Sequence, residues 1–262
     1  MNNPDPAQRL IVALDFSDRD QARRCVDELE GVVSFYKIGL ELFLASTGDF
    51  LDELRQRHCR IFLDLKMHDV DETIRRAVAN ASKLGVDFLT IHGNSATFKA
   101  ACSGKGDQKL KILAVPLLSS WNEQDLQELF PVGSKPTSEI IQEKFSSGLG
   151  GPMIKPRFKD LDEYVFWRTD QAISQGCDGL IASGEYIKKL RDQFGEKVLI
   201  VSPGIRPSGS STNEHKRSLT PSEAIQSGAN YLVVGRPIRD AEHRREAAQR
   251  IIAEIESTLL KV

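Results

Sequence analysis

The stretch Ile61-Phe62-Leu63-Asp64-Leu65-Lys66-Met67-His68-Asp69 reads as a buried strand that runs out into charge. Side chains on a strand alternate between its faces, so Phe62, Asp64 and Lys66 share one side and Ile61, Leu63 and Leu65 the other. One face is wholly apolar; the other begins apolar and ends in a carboxylate and an ammonium. Asp69 follows three residues on, placed to fold back from a loop. Unpaired charge taken out of water costs several kcal/mol per ion. Two readings stay open on these residues alone: an ordinary Asp–Lys ion pair near the surface, worth about 0 to 1 kcal/mol, or a cluster assembled for chemistry.

Outward from this run, short apolar stretches bounded by turn residues recur with helical segments between them, the pattern of a parallel sheet with crossover helices. They are Leu10–Leu14, Phe35–Ile38, Arg60–Leu65, Phe88–His92, Lys111–Leu117, Gly179–Ala182, Val198–Val201 and Tyr231–Val234. Eight strands with eight helices predict an α/β fold, a single closed (β/α)8 TIM barrel spanning residues 1–262. The helices carry their own signals. Ser17 is placed to cap a helix through Ala22, Cys25, Val26 and Leu29, with Gly31 beyond its end. Pro221 opens a short helix that Gly228 closes. Ile74, Val78 and Ala81, and later Ile251, Ile252 and Ile255, recur at helical spacing as core stripes. Residues 131–160, rich in proline and glycine, break the rhythm and read as an irregular insertion on a barrel loop.

The chain has 262 residues, 40% hydrophobic and 27% charged, which excludes disordered and fibrous classes. A formal net charge of −2 supplies no basic field for a phosphate backbone, so no nucleic-acid partner is expected. Cys25, Cys59, Cys102 and Cys177 are scattered without a CxxC pair and read as reduced thiols. The apolar stretch nearest the N-terminus, Leu10–Leu14, is too short for a signal core or a membrane span, so a cytoplasmic protein without membrane attachment is expected.

Barrel active sites lie at the carboxyl ends of the strands. Here those ends carry Asp15, Lys37, Asp64 with Lys66, His92, Ser119 with Ser120, Ser183, Pro203-Gly204-Ile205-Arg206 and Gly235-Arg236-Pro237. Polar side chains closing so many apolar runs point to one pocket built from many strands. The last two ends suggest phosphate: glycine lets the backbone approach closely, a helix start offers free N–H groups, and arginine supplies a fork. His92 reads as a hydrogen-bonded wall residue, and His68 has no partner at metal-ligand spacing, so no metal is expected.

With these residues in hand, the chain resembles the orotidine 5'-monophosphate decarboxylase family over nearly its whole length. The resemblance rests on Val-Ala-Leu-Asp15, Lys37-Ile-Gly, Asp64-Leu-Lys66-Met-His-Asp69 with Thr73, Ser-Pro203-Gly204-Ile-Arg206-Pro and Val-Gly235-Arg236-Pro. It implies cofactor-free decarboxylation of orotidine 5'-monophosphate to UMP, the last step of de novo pyrimidine nucleotide synthesis. Lys66 would be the proton donor to C6, within a charge network of Lys37, Asp64, Lys66 and Asp69. It also implies a homodimer in which Asp69 and Thr73 reach the neighbouring site. Asp15 would bind ribose, Ser119 the pyrimidine, and Arg236 with the Gly235 amide the 5'-phosphate, under a loop running from Pro203 past Arg206 to about Arg217. Three departures stand out. Asp71-Glu72 replaces a common Pro-Asn, and these carboxylates are expected to face a helix start. His215 occupies the place of a frequent Gln, and residues 131–160 are longer than the family suggests. The rival readings are a Mg-dependent keto-sugar-phosphate decarboxylase or aldolase with the same Asp and Lys residues, and a non-catalytic nucleotide-binding barrel.

Overall fold

Eight parallel strands close into a barrel, in chain order, in a computed structural model that describes residues 5–46, 48–106, 109–118, 121–129, 158–207 and 218–261. They are β1 (Leu10–Ala13), β2 (Phe35–Gly39), β3 (Arg60–Met67), β4 (Phe88–Ile91), β5 (Lys111–Ala114), β6 (Gly179–Ile181), β7 (Leu199–Ser202) and β8 (Tyr231–Val234). β8 returns to β1 with Leu232 opposite Leu10 and Val234 opposite Val12, so the sheet has no open edge. Each of the eight apolar runs is a strand, and the (β/α)8 barrel read from them is the observed architecture.

The described helices are α1 (Arg19–Leu29), α2 (Leu40–Ala45), α3 (Asp49–Gln56), α4 (Asp71–Lys83), α5 (Ser95–Gly104), α6 (Glu123–Leu129), α7 (Leu161–Ser174), α8 (Tyr186–Phe194), α9 (Pro221–Gln226), α10 (Arg236–Arg239) and α11 (Arg244–Leu259). One helix per strand is therefore too simple. α2 and α3 share the β2–β3 connection, and the short α10 precedes α11. Asp18, not Ser17, caps α1, because the backbone stays extended through Asp18 and its carboxylate accepts the Asp20 N–H at 3.0 Å. α9 begins as its sequence predicts: Thr220 and Glu223 form a reciprocal capping box, and Pro221 occupies the first turn. Ile74, Val78 and Ala81 are buried, as are Ile251 and Ile255, whereas Ile252 is only half-buried. Of the stretch 131–160, residues 131–157 lie outside the described residues. α6 before it was not foreseen, and Asp160 after it caps α7 through the Glu163 N–H.

Alternation along the strands divides the core in two. Leu10, Val12, Ile61 and Leu63 face the surrounding helices. Ile11, Ala13, Phe35, Phe62, Phe88, Leu113, Val201, Tyr231 and Val233 fill the barrel. Phe88 meets Phe35 and Tyr231 edge-on, with ring centroids 5.1 Å away in each case. Below them Arg60, the first residue of β3, lays its guanidinium 4.1 Å from the centroid of Phe35 and hydrogen-bonds Asp87. The barrel is thus plugged at the amino ends of its strands and opens at their carboxyl ends. The four cysteines are free thiols, and among the described residues no helix is long and apolar enough to cross a membrane.

Removing the central ring should unfold this arrangement from the inside. Phe88→Ala is expected to lower the unfolding free energy by about 3 to 5 kcal/mol, the range for a fully buried aromatic. Urea titration of the variant beside the parent checks it, and a loss under 1 kcal/mol would mean that the rings do not support the barrel.

Candidate active site

A cavity of about 730 Å³ opens at the carboxyl ends of the strands. Asp15, Lys37, Asp64 and Lys66 line it on one side, and Pro203, Gly204, Arg206, Gly235 and Arg236 on another. Leu117, Leu118, Trp121, Ile181 and Tyr186 supply apolar wall between them. Of the strand ends singled out in the sequence, those of β1, β2, β3, β6, β7 and β8 converge here, with Ser183 on the wall, whereas His92 is not among the lining residues.

The charged side is a connected network. Lys37 bonds Asp15 at 2.7 Å and stands 3.8 Å from the nearer oxygen of Asp64. The Lys66 ammonium lies 2.9 Å from each Asp64 oxygen. Lys37 and Asp64 are nearly withdrawn from solvent, with side chains 11% and 13% exposed, whereas Asp15 and Lys66 face the cavity at 45% and 42%. Two cations and two anions alternate, so the inner charges remain paired in a place where an unpaired ion would be costly. Gly39 belongs to the same construction: a Cβ there would lie 3.2 Å from both the Asp15 carboxylate and the Lys37 ammonium.

Strand alternation alone does not place Lys66. The β3–β4 register shifts between Leu63 and Met67, and Lys66 adopts a left-handed backbone, φ +47°. Its N–H donates to Thr90 Oγ1 at 2.9 Å, and the Thr90 hydroxyl donates to Asp64 Oδ1 at 2.8 Å. Thr90 was missed in the sequence. The available signal was a hydroxyl in the otherwise apolar run Phe88-Leu89-Thr90-Ile91, on the face that Phe88 turns into the barrel.

On the far side, Gly204 at φ +77° turns the chain out of β7, a conformation that favours glycine. Ile205 then bridges Leu219, and the Arg206 N–H donates to the Leu219 carbonyl at 2.9 Å. This clamp brackets residues 208–217, so His215 and the remainder of the expected loop lie outside the described residues. Ser119 and Ser120 lie outside them as well. Gly235 precedes α10, whose first residue is Arg236. Arg239, also unforeseen, lines the cavity, donates to the Asp15 carbonyl at 2.8 Å and pairs with Asp240.

Asp69 and Thr73 do not line this cavity. The Asp69 carboxylate instead accepts the Val70 N–H at 2.6 Å on an exposed loop. Val70 is 69% exposed, as are Leu40 and Leu44 at 55% and 68%, and these residues follow the neighbouring strands β3 and β2. Asp71 and Glu72 occupy the first turn of α4, as expected for carboxylates at a helix start. Glu72 also pairs with Arg75 and Arg76, whose hydrogen bonds bring its acid down to about 2. Among the described residues, no three His, Cys, Asp or Glu side chains gather in a metal-holding cluster.

Residues 8–147 and 153–251 match the model of the Orotidine 5'-phosphate decarboxylase / HUMPS family, with a break inside the stretch expected as an insertion. The orotidine 5'-phosphate decarboxylase of Methylococcus capsulatus is 42% identical over 259 residues, covering 97% of this chain and 95% of that protein. The enzyme of that name from Nitrobacter winogradskyi is 40% identical over 252 residues, covering 96% and 94%. Among solved structures, the crystal structure of orotidine 5'-phosphate decarboxylase from Lactobacillus acidophilus superposes with a TM-score of 0.72 at 31% identity, covering 95% of this chain and 99% of that one.

His92 is hydrogen-bonded as expected, its Nδ1 3.0 Å from the Val115 carbonyl, but it does not line the cavity. Burial, opposed by that bond, holds its pKa below the ordinary value. The ring is then neutral at pH 7, with Nδ1–H donating. A histidine near 6.5 when unfolded and lower when folded binds protons more readily in the unfolded chain, so its stabilising contribution is complete above about pH 6.5 and is lost as pH falls through the lowered folded value. His92→Gln should accordingly flatten the fall in unfolding free energy on the acid side of pH 6.5. Denaturation measured across that window checks it, and equally steep curves for the two proteins would contradict it.

Proposed function

The chain belongs to the orotidine 5'-phosphate decarboxylase family, and from that premise we propose that it decarboxylates orotidine 5'-monophosphate to UMP, a step of pyrimidine biosynthesis, without a cofactor. The observation that carries the reading is the Lys66 ammonium seated on both oxygens of Asp64 while still facing a cavity whose other wall holds Gly235 and Arg236. As CO2 leaves, the bonding pair stays on C6, where nothing in the substrate delocalises it. A fixed cation at that atom is the stabilisation the reaction lacks. Lys66 supplies it and then transfers its Nζ proton to C6, recovering a proton from solvent afterwards.

Asp64 fixes Lys66, and Lys37 joins Asp64 to Asp15, which binds the ribose hydroxyls. The substrate carboxylate also approaches Asp64: like charges about 4 Å apart repel by roughly 4 kcal/mol at an effective dielectric of 20. That is a fraction of the roughly 8 to 23 kcal/mol by which enzymes commonly lower barriers. Remote binding energy supplies more, through Arg236 and the Gly235 amide at the 5'-phosphate, with Pro203, Arg206 and His215 in the covering loop and Ser119 at the pyrimidine.

The functional unit is a homodimer in the cytoplasm, each chain a single barrel domain with residues 131–160 as an insertion. Asp69 and Thr73 serve the partner subunit's site. The support is twofold: Asp69 lies outside its own cavity, and apolar Val70, Leu40 and Leu44 are exposed after the neighbouring strands β3 and β2. Metal-dependent sugar-phosphate chemistry is the weaker reading, because Asp15 and Asp64 are already engaged by ammonium groups that a divalent ion would have to displace.

The fall in ultraviolet absorbance as orotidine 5'-monophosphate is consumed tests the reaction. Turnover is expected and should be unchanged by excess EDTA; no turnover, or loss on chelation, would overturn the reading. Shared sites make a second prediction. Lys66→Ala and Asp69→Asn, each inactive alone, should on mixing and re-equilibration recover about a quarter of parental activity, since half the dimers are mixed and each has one native site of two. No recovery from dimers shown to exchange would sink the cross-subunit assignment.

A further inference from the structure

We propose that Thr90 is a positioning residue for the reaction, holding the Lys66 backbone and the Asp64 carboxylate in one fixed relation. The proposal rests on the reading of Lys66 as the proton donor. Thr90 is fully buried on β4 between apolar neighbours, and its hydroxyl has two partners. It accepts the main-chain N–H of Lys66 and donates to Asp64 Oδ1, the same oxygen that lies 2.9 Å from the Lys66 ammonium. Backbone, hydroxyl, carboxylate and ammonium thus form a closed ring of contacts belonging to three residues.

The ring matters because its weakest member is the backbone. A left-handed conformation is disfavoured for a residue with a Cβ and persists where the surroundings over-determine it. At Lys66 the register shift interrupts regular strand pairing, so the N–H finds the Thr90 oxygen instead of the ladder. Without the hydroxyl, that N–H loses its acceptor. Asp64 loses the donor that fixes Oδ1, and with Lys37 already 3.8 Å from Oδ2 the carboxylate is free to turn toward it. The ammonium would then lose the seat that aims it at the reacting carbon, while the phosphate and ribose contacts on other strands stay in place.

The signature is therefore a split between kcat and KM. Thr90→Val keeps the side-chain volume and removes the hydroxyl, and should lower kcat by about 10- to 100-fold, the scale of a misplacement near 1 Å. KM and the affinity for UMP should stay at parental values. Thr90→Ser keeps the hydroxyl and should retain kcat within the same order of magnitude. Parental kcat in Thr90→Val would overturn the proposal, as would UMP affinity falling in step with kcat, which marks a merely structural role. If Thr90→Val does not fold, Thr90→Ser decides: lost kcat with intact UMP binding would equally overturn it. A readout independent of turnover separates this proposal from the reading it rests on. In protein labelled with 15N-lysine, the Lys66 amide should exchange with solvent slowly in the parent and in Thr90→Ser, and much faster in Thr90→Val. Unchanged exchange in Thr90→Val sinks the positioning role, whereas absence of turnover by the parent sinks the assigned reaction.

Discussion

Two ammonium groups and two carboxylates stand at the mouth of a barrel whose interior is otherwise aromatic and aliphatic. They hold there because each inner charge meets its opposite before it leaves water. Lys37 and Asp64 are the withdrawn pair, and Asp15 and Lys66 extend the chain of contacts into the cavity. Much of the local backbone follows from this requirement. β3 abandons regular pairing after Leu63, Lys66 turns left-handed, and a threonine replaces an apolar residue on the neighbouring strand. Gly39 leaves room where the Asp15–Lys37 pair passes closest to the main chain.

The barrel makes such a network affordable in free energy by concentrating apolar burial elsewhere. The ring of Phe35, Phe62, Phe88 and Tyr231, closed beneath by Arg60, fills the barrel below the cavity, so the charge network sits at the end where loops and helix starts can satisfy it. The cavity then has two chemically distinct walls, one of paired charges from β1 to β3 and one of glycine and arginine after β7 and β8. Carboxylates near the network do not all take part in it: Glu72 is neutralised by Arg75 and Arg76 on its own helix.

The strands were legible because burial on both faces leaves uninterrupted apolar runs, and the charges closing them stood out for the same reason. Asp64 and Lys66 are named by the sequence; the conformation that joins them is not, since a register shift depends on how β3 meets β4 in space. Thr90 escaped notice because a single hydroxyl in a strand is unremarkable until its partners are known. Ser17 and Asp18 are both good caps, and only the extended backbone at Asp18 decides between them. Arg239 lay hidden because four-residue α10, which carries it back over Asp15, has no periodicity to read. The division of Asp69 and Thr73 from the rest came from family resemblance, and no spacing in the chain expresses it.

The proposed role of Lys66 is to stabilise the charge left at C6, as an ammonium held by Asp64, and then to protonate that carbon. Its most direct test is the single-turnover rate of Lys66→Ala with orotidine 5'-monophosphate, measured beside its affinity for UMP. Decarboxylation slowed by about four orders of magnitude or more is expected, the scale of a lost acid and a lost preorganised charge together, with UMP still bound. Turnover within about tenfold of the parent, a change of only some 1.4 kcal/mol in barrier, would contradict it.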